Sequence, residues 1–338
     1  MYAGMGLRAA AIGLLAGLPI WIQGPATAAP RVFEGAAIRE TADDESTHQL
    51  EEPPFPGLEF RRALRLQAQT RFLPSAHLGP GHVDLYAPEF RARLSLPINE
   101  RAVVRVGAQV GLSHYDFGGG TPFRALTDPL DLYQATLTVD GAYQLTKEGQ
   151  SWLFEGESWS LLGGLSAQSA WEGSRFEQGF GGGGALGIGY RLPDRLRVSL
   201  GALVSTDLEN GGIDISPFGS LRWDITESLT LRDRSLGLLL EYRLSNRIEL
   251  FTTAFRSTDT FRLKDRFGLD DLSFRDRRIL TGAGLEWKIT SSWRMNFEAG
   301  AVVQRKLRAH SDDQGTLFSE SADPAPYVNL RFELRPGR

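Results

Sequence analysis

The chain has 338 residues, with 37 Lys and Arg against 41 Asp and Glu, and it has no cysteine. The lack of cysteine excludes disulfide bonds, thiolate metal sites and cysteine nucleophiles. Mean hydropathy is -0.22, and no apolar stretch after residue 22 reaches the roughly 20 residues that a spanning helix needs, which excludes a helical membrane protein.

The first 28 residues predict an export signal. Arg8 precedes an apolar run over residues 9–22, and Ala26 and Ala28 have the spacing of an A-x-A cleavage site. We predict cleavage after Ala28, because cleavage one residue later would place Pro30 against the scissile bond. A chain with such a signal is exported across the inner membrane, so we expect the mature protein to lie outside the cytoplasm.

Residues 29–56 predict a disordered, acidic periplasmic lead-in, because they offer little apolar surface to offset chain entropy. Residues 1–29 carry a net charge of +1, residues 30–56 carry -5, and the rest of the chain sums to zero. A neutral remainder lacks the basic surface of nucleic-acid binding proteins, so we expect no nucleic-acid partner.

Residues 57–338 alternate apolar and polar side chains from Leu58 to Leu334, the pattern of strands with one apolar and one polar face. In the first run Leu64, Leu66 and Phe72 oppose Arg65 and Gln67, and a later run places Val104, Val106 and Val110 opposite Arg105 and Gln109. Counting such runs predicts about fourteen strands. They start near residues 58, 83, 102, 130, 151, 176, 196, 213, 229, 236, 248, 277, 293 and 325.

Two details of this strand count are open to test. The run over residues 229–234 is short, and without the hairpin that it forms with residues 236–244 the count is twelve. In the run from Val83 the apolar residues change parity near Pro88, which we interpret as a β-bulge.

Short and long connections alternate along the chain, which predicts periplasmic turns and external loops. The short ones are residues 97–101, 146–150, 193–195, 226–228, 245–247 and 290–292. The long ones are residues 74–82, 116–129, 172–178, 207–212, 257–276 and 308–323. The pattern predicts an all-β, antiparallel, up-and-down transmembrane β-barrel.

Aromatic placement distinguishes a membrane barrel from a soluble β-sandwich. Tyr and Trp side chains on the apolar face recur within about three residues of the short turns, at the level where an interfacial girdle is required. They are Tyr143, Tyr190, Trp223, Tyr242, Trp287 and Trp293.

At this point the chain resembles the porin-like outer-membrane barrels of Gram-negative bacteria, in particular barrel families recognised by such strand patterns. The resemblance is architectural and covers residues 57–334. It implies localisation in the outer membrane and contact with outer-membrane lipid, lipopolysaccharide and the barrel assembly machinery. The last strand, with Val328, Leu330, Phe332 and Leu334 on one face, looks like the terminal strand presented to that machinery, but it continues to Arg338 instead of ending on an aromatic residue.

Motifs for chemistry are few. Gly182, Gly184 and Gly187 match G-x-G-x-x-G, but a strand and a turn follow them instead of the helix that a dinucleotide site needs, so no cofactor is expected. The barrel histidines fall in or beside the predicted external loops without a His-x-Ser arrangement, so we expect neither an enzyme nor a metal site.

Opposite charges recur two residues apart on the polar face of several strands, so each pair is expected to stack on one wall of the lumen. The pairs are Glu59 and Arg61, Glu89 and Arg91, Arg222 and Asp224, Glu241 and Arg243, Glu286 and Lys288, and Arg331 and Glu333. They predict either a compensated network that stabilises the barrel or a constriction that selects solutes.

The sequence therefore predicts a narrow porin-like channel for small polar solutes. A structural or ligand-holding barrel without transport is the alternative, and a barrel hydrolase using His114 is a more distant one. The sequence does not specify the solute or the oligomeric state.

Overall fold

A computed structural model describes residues 63–126, 129–146, 158–174, 176–192, 195–206, 208, 212–233, 236–265, 269 and 271–336. The predicted signal sequence, the predicted acidic lead-in, and Glu59 and Arg61 lie outside the described residues. The elements in chain order are β1 (Ala63–Leu78), β2 (Gly81–Asn99), β3 (Ala102–Gly119), the 3₁₀ turn η1 (Pro122–Ala125), β4 (Leu130–Gln144), β5 (Ser158–Glu172), the 3₁₀ turn η2 (Phe176–Gly179), β6 (Phe180–Leu192), β7 (Leu196–Thr206), β8 (Ile213–Asp224), β9 (Leu229–Asp233), β10 (Leu236–Arg243), β11 (Ile248–Arg262), β12 (Leu272–Lys288), β13 (Trp293–Ser311), β14 (Gly315–Ala322) and β15 (Ala325–Leu334).

The strands form one closed antiparallel barrel of fourteen staves. Each strand from β1 to β13 pairs with its neighbour in the chain, and β15 closes the ring on β1 through the register Ala68↔Phe332. β14 and β15 are two halves of the last stave, because both pair with β13 and both pair with β1. The predicted fourteen strands are confirmed, and the short hairpin of β9 and β10 is a true pair of staves.

The outer face carries an apolar band between two levels of aromatic residues. Near the short turns Tyr143, Trp223, Trp287 and Trp293 are all exposed, as the girdle prediction requires. Ten residues further along β4, Tyr133 stacks on Trp171 of β5 with ring centroids 5.9 Å apart. Ten residues of tilted strand correspond to about 25 Å, the height of the lipid-facing band in outer-membrane barrels.

Several strands continue past this band at the end opposite the short turns. The predicted long loops over residues 74–82, 257–276 and 308–323 were wrong in extent, because β1, β11, β12, β13 and β14 occupy most of them. In these extensions the apolar residues point inward and the polar residues outward, the reverse of the band in lipid. Because of this reversal, the extensions lack the outward apolar face by which a membrane strand is recognised in a sequence.

The same reversal accounts for the parity change near Pro88. The register of β1 with β2 is continuous from Ala63↔Ser95 to Leu73↔Leu85, so the predicted bulge at Pro88 was wrong. Val83 and Leu85 are buried inside the barrel, whereas Phe90 is exposed on the outside. The irregularity in this hairpin lies in β1 instead, between Leu73 and Ala76.

The inward apolar residues of the extensions fill the outer end of the barrel. Phe123, on η1, is fully buried between Phe117 and Phe274, with ring centroids 5.7 and 6.0 Å away, and Phe318 lies 6.0 Å from it. The 3₁₀ turn η1, which follows β3, therefore folds into the lumen. This outer core closes the external end of the barrel in the described part of the chain.

The wall is lower on one side. β9 and β10 have five and eight residues, against 15 to 19 in each of β1–β5 and β11–β13. Above them the ends of β5 and β11 meet through a parallel bridge, Arg262↔Trp171, and Lys264 N donates to Glu172 Oε2 at 3.0 Å. The taller strands thus close on one another above the shorter ones.

Candidate channel lumen

One half of the lumen wall is polar. The inward positions of β1, β3, β4 and β5 in the middle of the band carry amides and hydroxyls, which are buried from bulk solvent. They include Gln67, Gln69, Gln109, Thr136, Thr138 and Gln168. Their burial shows that the lumen is narrow at this height.

The other half is apolar. Leu203 of β7, Leu239 of β10, and Phe251 and Phe255 of β11 are buried on the inward face, and Phe218 of β8 points the same way. Glycines accommodate the rings: a Cβ at Gly187 would lie 2.8 Å from Phe218 Cζ, and one at Gly201 or Gly237 would overlap Phe218 or Phe255. The glycine-rich inner wall of β6 therefore seats an aromatic side chain.

A buried charge cluster separates this lumen from the outer core. Asp276 accepts from Arg305 Nη2 at 2.9 Å and Nε at 3.2 Å, and from the Tyr115 hydroxyl at 3.1 Å. Arg278 pairs with Asp259 and lies 3.8 Å from Asp276. Asp276, Arg278 and Arg305 are almost completely buried, so this level is packed solid rather than open.

The barrel wall has a gap above the short hairpin. β8 pairs with β9 only through Arg222↔Arg232, Trp223↔Leu231 and Asp224↔Thr230. Among the described residues no strand pairs with the free edge of β8 beyond Arg222, although β8 continues to Ile213. On the far side β11 continues past Arg256, its last residue paired with β10. Since a strand needs about 9–11 residues to cross a bilayer, β9 cannot complete the wall.

The edge of β8 is adapted to lack a partner. Leu221 N faces the hairpin, where Asp233 Oδ1 accepts its hydrogen bond at 2.6 Å, while Asp224 N faces the other way and donates to Arg195 O at 2.8 Å. Backbone N–H direction alternates along a strand, so residue 217 is one of the positions facing the gap. That position is Pro217, which has no N–H to leave unpaired.

Charges predicted to stack within single strands are in contact on β2 and on β8. Arg91 pairs with Glu89 on β2, and Arg222 contacts Asp224 on β8 with Nη2–Oδ1 at 3.1 Å. Other carboxylates pair across strands: Glu241 with Arg232 at 2.8 Å, Glu286 with Arg294 at 3.0 Å, and Glu333 with Arg65 at 3.4 Å. Glu333 also pairs with Arg335, two residues further along the chain, at 2.5 Å. Lys288 pairs with Glu249 at 2.7 Å.

Strand register explains these partners. Glu249 lies directly opposite Glu286, a repulsive juxtaposition, and each instead pairs diagonally with a residue two positions from its direct partner. Arg243 and Arg331 lie at the same end of the barrel. Together these side chains form a ring of ion pairs near the end of the barrel that carries the short turns, which we call the lower charge ring.

Sequence reasoning missed several members of the lower charge ring. One is Arg335, which lies two residues after Glu333 in the same chain segment. The cross-strand ones are Arg65, Arg232, Glu249 and Arg294, together with Arg105 and Asp140, whose Nη2 and Oδ1 are 2.5 Å apart. Only the β9–β10 hairpin could have indicated its partners, because its turn fixes the register of Arg232 against Glu241.

Two of the side chains that a hydrolase would need, a histidine and an aspartate, lie in contact with each other. His114 Nδ1 lies 2.6 Å from Asp131 Oδ1 on the outer surface, and both side chains are well exposed. Within the part of the chain that the structure describes, no serine hydroxyl forms a hydrogen bond with His114. Within the described residues no group of three or more His, Asp or Glu side chains could hold a metal ion, and no helix has the length and apolarity to span a membrane.

Comparisons with known proteins find matches only among solved structures. No family model and no curated protein matches the chain. Among solved structures, an outer membrane channel from Pseudomonas putida F1 is 14% identical over 84% of this chain and 100% of its own, with a TM-score of 0.40. A FadL homologue of Pseudomonas aeruginosa is 8% identical over 82% of this chain and 90% of its own, with a TM-score of 0.38.

A third match is the translocator domain of the autotransporter NalP from Neisseria meningitidis, 12% identical over 88% of this chain and 93% of its own, with a TM-score of 0.31. Similarity at this level concerns the fold alone. The closed ring, the outward apolar band and the two aromatic levels are those of an outer-membrane β-barrel.

Proposed function

We propose that this barrel is an outer-membrane channel for small amphipathic solutes, which move between the lumen and the lipid through the gap above β9 and β10. The observation that carries the proposal is the short hairpin beside an apolar inner wall. β9 has five residues, and Phe218, Leu239 and Phe255 line the lumen next to it.

The two halves of the lumen fit the two ends of such a solute. The buried amides of Gln67, Gln109 and Gln168 offer hydrogen bonds to a polar group, and the aromatic wall offers a surface for an apolar group. The lower charge ring, with paired charges of both signs, provides a hydrated entrance without strong preference for cations or anions.

A sideways route follows from the filled outer end. A solute moving straight through would have to displace Phe123 and the buried Asp276–Arg305 pair, whereas at the gap no strand of the described residues pairs with the edge of β8. Passage of small polar solutes straight through the barrel is the second candidate, and the polar wall of β1–β5 favours it.

The proposal can be tested with the folded protein in liposomes. We expect the barrel to accelerate entry of 8-anilinonaphthalene-1-sulfonate, which has a charged and an apolar end, but not of glucose. The variant Phe218→Ser should slow this entry, because it removes an aromatic side chain from the inner wall beside the gap. The control Phe180→Ser alters an outward side chain and should leave the rate unchanged.

The outcomes separate the candidates. Faster entry of glucose but not of the amphipathic probe would support passage of polar solutes straight through. If correctly folded protein accelerates the entry of neither probe, the structural barrel without transport is the remaining candidate.

A further inference from the structure

A row of hydrogen-bonding side chains crosses the inner wall of β1–β5. Gln109 of β3 lies directly opposite Thr136 of β4, and Thr136 lies directly opposite Gln168 of β5. On the other side, Arg91 of β2 lies opposite both Gln109 and Gln67 of β1. Side chains opposite each other in an antiparallel pair have Cβ atoms about 4.5–5.5 Å apart, so these five form one continuous surface, here called the polar row.

Two oxygen atoms of the polar row are buried without a hydrogen bond. Gln109 and Thr136 are 6% and 5% exposed, and among the described residues neither Gln109 Oε1 nor Thr136 Oγ1 has a hydrogen-bond partner. Both side chains point into the lumen, because the next residues along their strands, Val110 and Leu137, are exposed on the outer face. Buried oxygen atoms in folded proteins nearly always take part in a hydrogen bond, so both are available to a ligand.

The charged side chains near these two atoms are paired within the protein. Arg91 pairs with Glu89 on β2, and Arg105 pairs with Asp140 across β3 and β4, nearer the short turns. An ionised group on a solute would lose its water at the polar row without gaining an opposite charge, which is costly in a buried site. An uncharged group with an N–H or O–H can bond Gln109 Oε1 without that cost.

An aromatic wall lies across the lumen from the polar row. β4 and β11 are the fourth and the eleventh of fourteen staves, so they face each other, and Phe251 and Phe255 of β11 are buried on the inward face. Above these rings the two sides of the barrel converge, where Trp171 of β5 bridges to Arg262 of β11. A small molecule between the walls can therefore contact both, with its polar end on the polar row and its apolar end on the rings.

We propose that the polar row binds the uncharged polar end of an amphipathic solute, an amide or hydroxyl group attached to an aromatic ring. The N–H or O–H of that group donates to Gln109 Oε1, and the Thr136 hydroxyl donates to its oxygen atom. The ring packs on Phe251 and Phe255. The inference rests on the proposed function for the entry of such solutes into the lumen, and it specifies which class of them the lumen holds.

The test is equilibrium binding to the folded protein in detergent, measured by isothermal titration calorimetry against micelles without protein. The probes share one ring system and differ at the polar end: at pH 7, 2-naphthamide is uncharged, 2-naphthoate is an anion and 2-(aminomethyl)naphthalene is a cation. We expect 2-naphthamide to bind at least about tenfold more tightly than either ion, because each ion loses hydration without gaining an opposite charge.

A double variant tests the two residues directly. Gln109→Leu with Thr136→Val keeps the approximate side-chain shapes and removes the hydrogen-bonding groups. It should weaken binding of 2-naphthamide by at least about tenfold and change binding of the two ions by less than about twofold, because only the uncharged probe uses those groups. The matched control, Gln304→Leu with Thr281→Val, makes the same exchanges at exposed positions of β13 and β12 and should change each affinity by less than about twofold.

Equal affinities of the three probes for the unaltered protein, or tighter binding of either ion, would overturn the proposal, and this comparison does not depend on the folding of a variant. Equal losses of 2-naphthamide binding in the two double variants would also overturn it. Resistance of each variant to unfolding by sodium dodecyl sulfate without heating checks that the barrel has formed.

Binding in detergent does not require the gap, so the site and the route can fail separately. Selective binding of 2-naphthamide without entry of 8-anilinonaphthalene-1-sulfonate into liposomes would support the site and contradict the route. Entry of that probe without selective binding of 2-naphthamide would support the route and overturn the site.

Discussion

At the scale of single residues, the environment of a side chain depends on which side of the wall it faces and on its height along the strand. Val106 and Val110 are exposed on the outer face of β3 within the apolar band, whereas Tyr115 and Phe117 on the same strand are buried inside the outer core. Outward apolar side chains in the band meet lipid. Inward ones above the band meet each other.

Replacing Val106 with Arg places a charge in the apolar band. We expect Val106→Arg to lower the free energy of unfolding in lipid by about 2–4 kcal/mol, the cost measured for Arg near the midplane of such barrels. The control Thr316→Arg lies on the exposed extension of β14 and should cost less than about 0.5 kcal/mol. Urea titration of both variants in phospholipid vesicles measures the two costs. Equal costs would mean that Val106 does not face lipid.

The lower charge ring makes a prediction about coupling. Arg232 and Glu241 are 2.8 Å apart and largely buried, so removing either takes this ion pair from the other where water is limited. Each of the substitutions Arg232→Gln and Glu241→Gln should lower the free energy of unfolding more in the wild-type protein than in the variant that already carries the other substitution. The difference between these two losses, the coupling energy, should be about 0.5–3 kcal/mol. A double-mutant cycle by urea titration gives this value. A coupling energy of zero would show that the two side chains are independently solvated.

At the scale of strands, most of the barrel could be predicted from the sequence. The starts near residues 102, 130, 196, 213, 229, 236, 248 and 293 agree closely with β3, β4, β7, β8, β9, β10, β11 and β13. These strands keep apolar residues outward, so period-two alternation identifies them. The outward aromatic girdle was predicted for the same reason.

The parts that could not be predicted depend on contacts between distant strands. The extensions over residues 257–262 and 272–276 read as loop, because their outward side is rich in Arg and Thr and their apolar side faces a core that forms only when the barrel closes. The partners of Glu286 and Lys288 depend on the register of β11, β12 and β13, which no short turn signal specifies. The gap could not be predicted, because in the sequence a short strand such as β9 cannot be distinguished from a run that is not a strand at all.

Lengthening the hairpin tests the role of its size. We expect insertion of Val-Thr before Arg234 and of Thr-Val after Ser235 to extend both strands while keeping their inward and outward faces, since side chains alternate with a period of two. The longer hairpin should cover more of the free edge of β8 and slow the entry of the amphipathic probe. Stability to urea should be unchanged or higher. Unchanged entry in a correctly folded variant would show that the gap is not the route.

At the scale of the whole molecule, the barrel is asymmetric both around and along its axis. Tall strands surround an outer core that closes one end, and short strands leave the wall open on one side at the height of the lipid. The polar half of the lumen lies on the tall strands β1–β5, and the apolar half lies beside the gap. This arrangement directs an amphipathic solute toward the membrane rather than straight through the barrel.

The most direct test of this account is access to the lumen from the lipid phase. The chain has no cysteine, so Ser216→Cys introduces a single thiol on the inward face of β8 beside the gap, and Thr138→Cys introduces one on the inward face of β4 behind a fully paired wall. In vesicles, a membrane-partitioned N-dodecylmaleimide should label the first variant faster than the second by on the order of tenfold, after each rate is normalised to the unfolded protein, because a paired wall excludes lipid from the lumen. Equal labelling rates, or faster labelling of the Thr138→Cys variant, would contradict a lateral opening above β9 and β10.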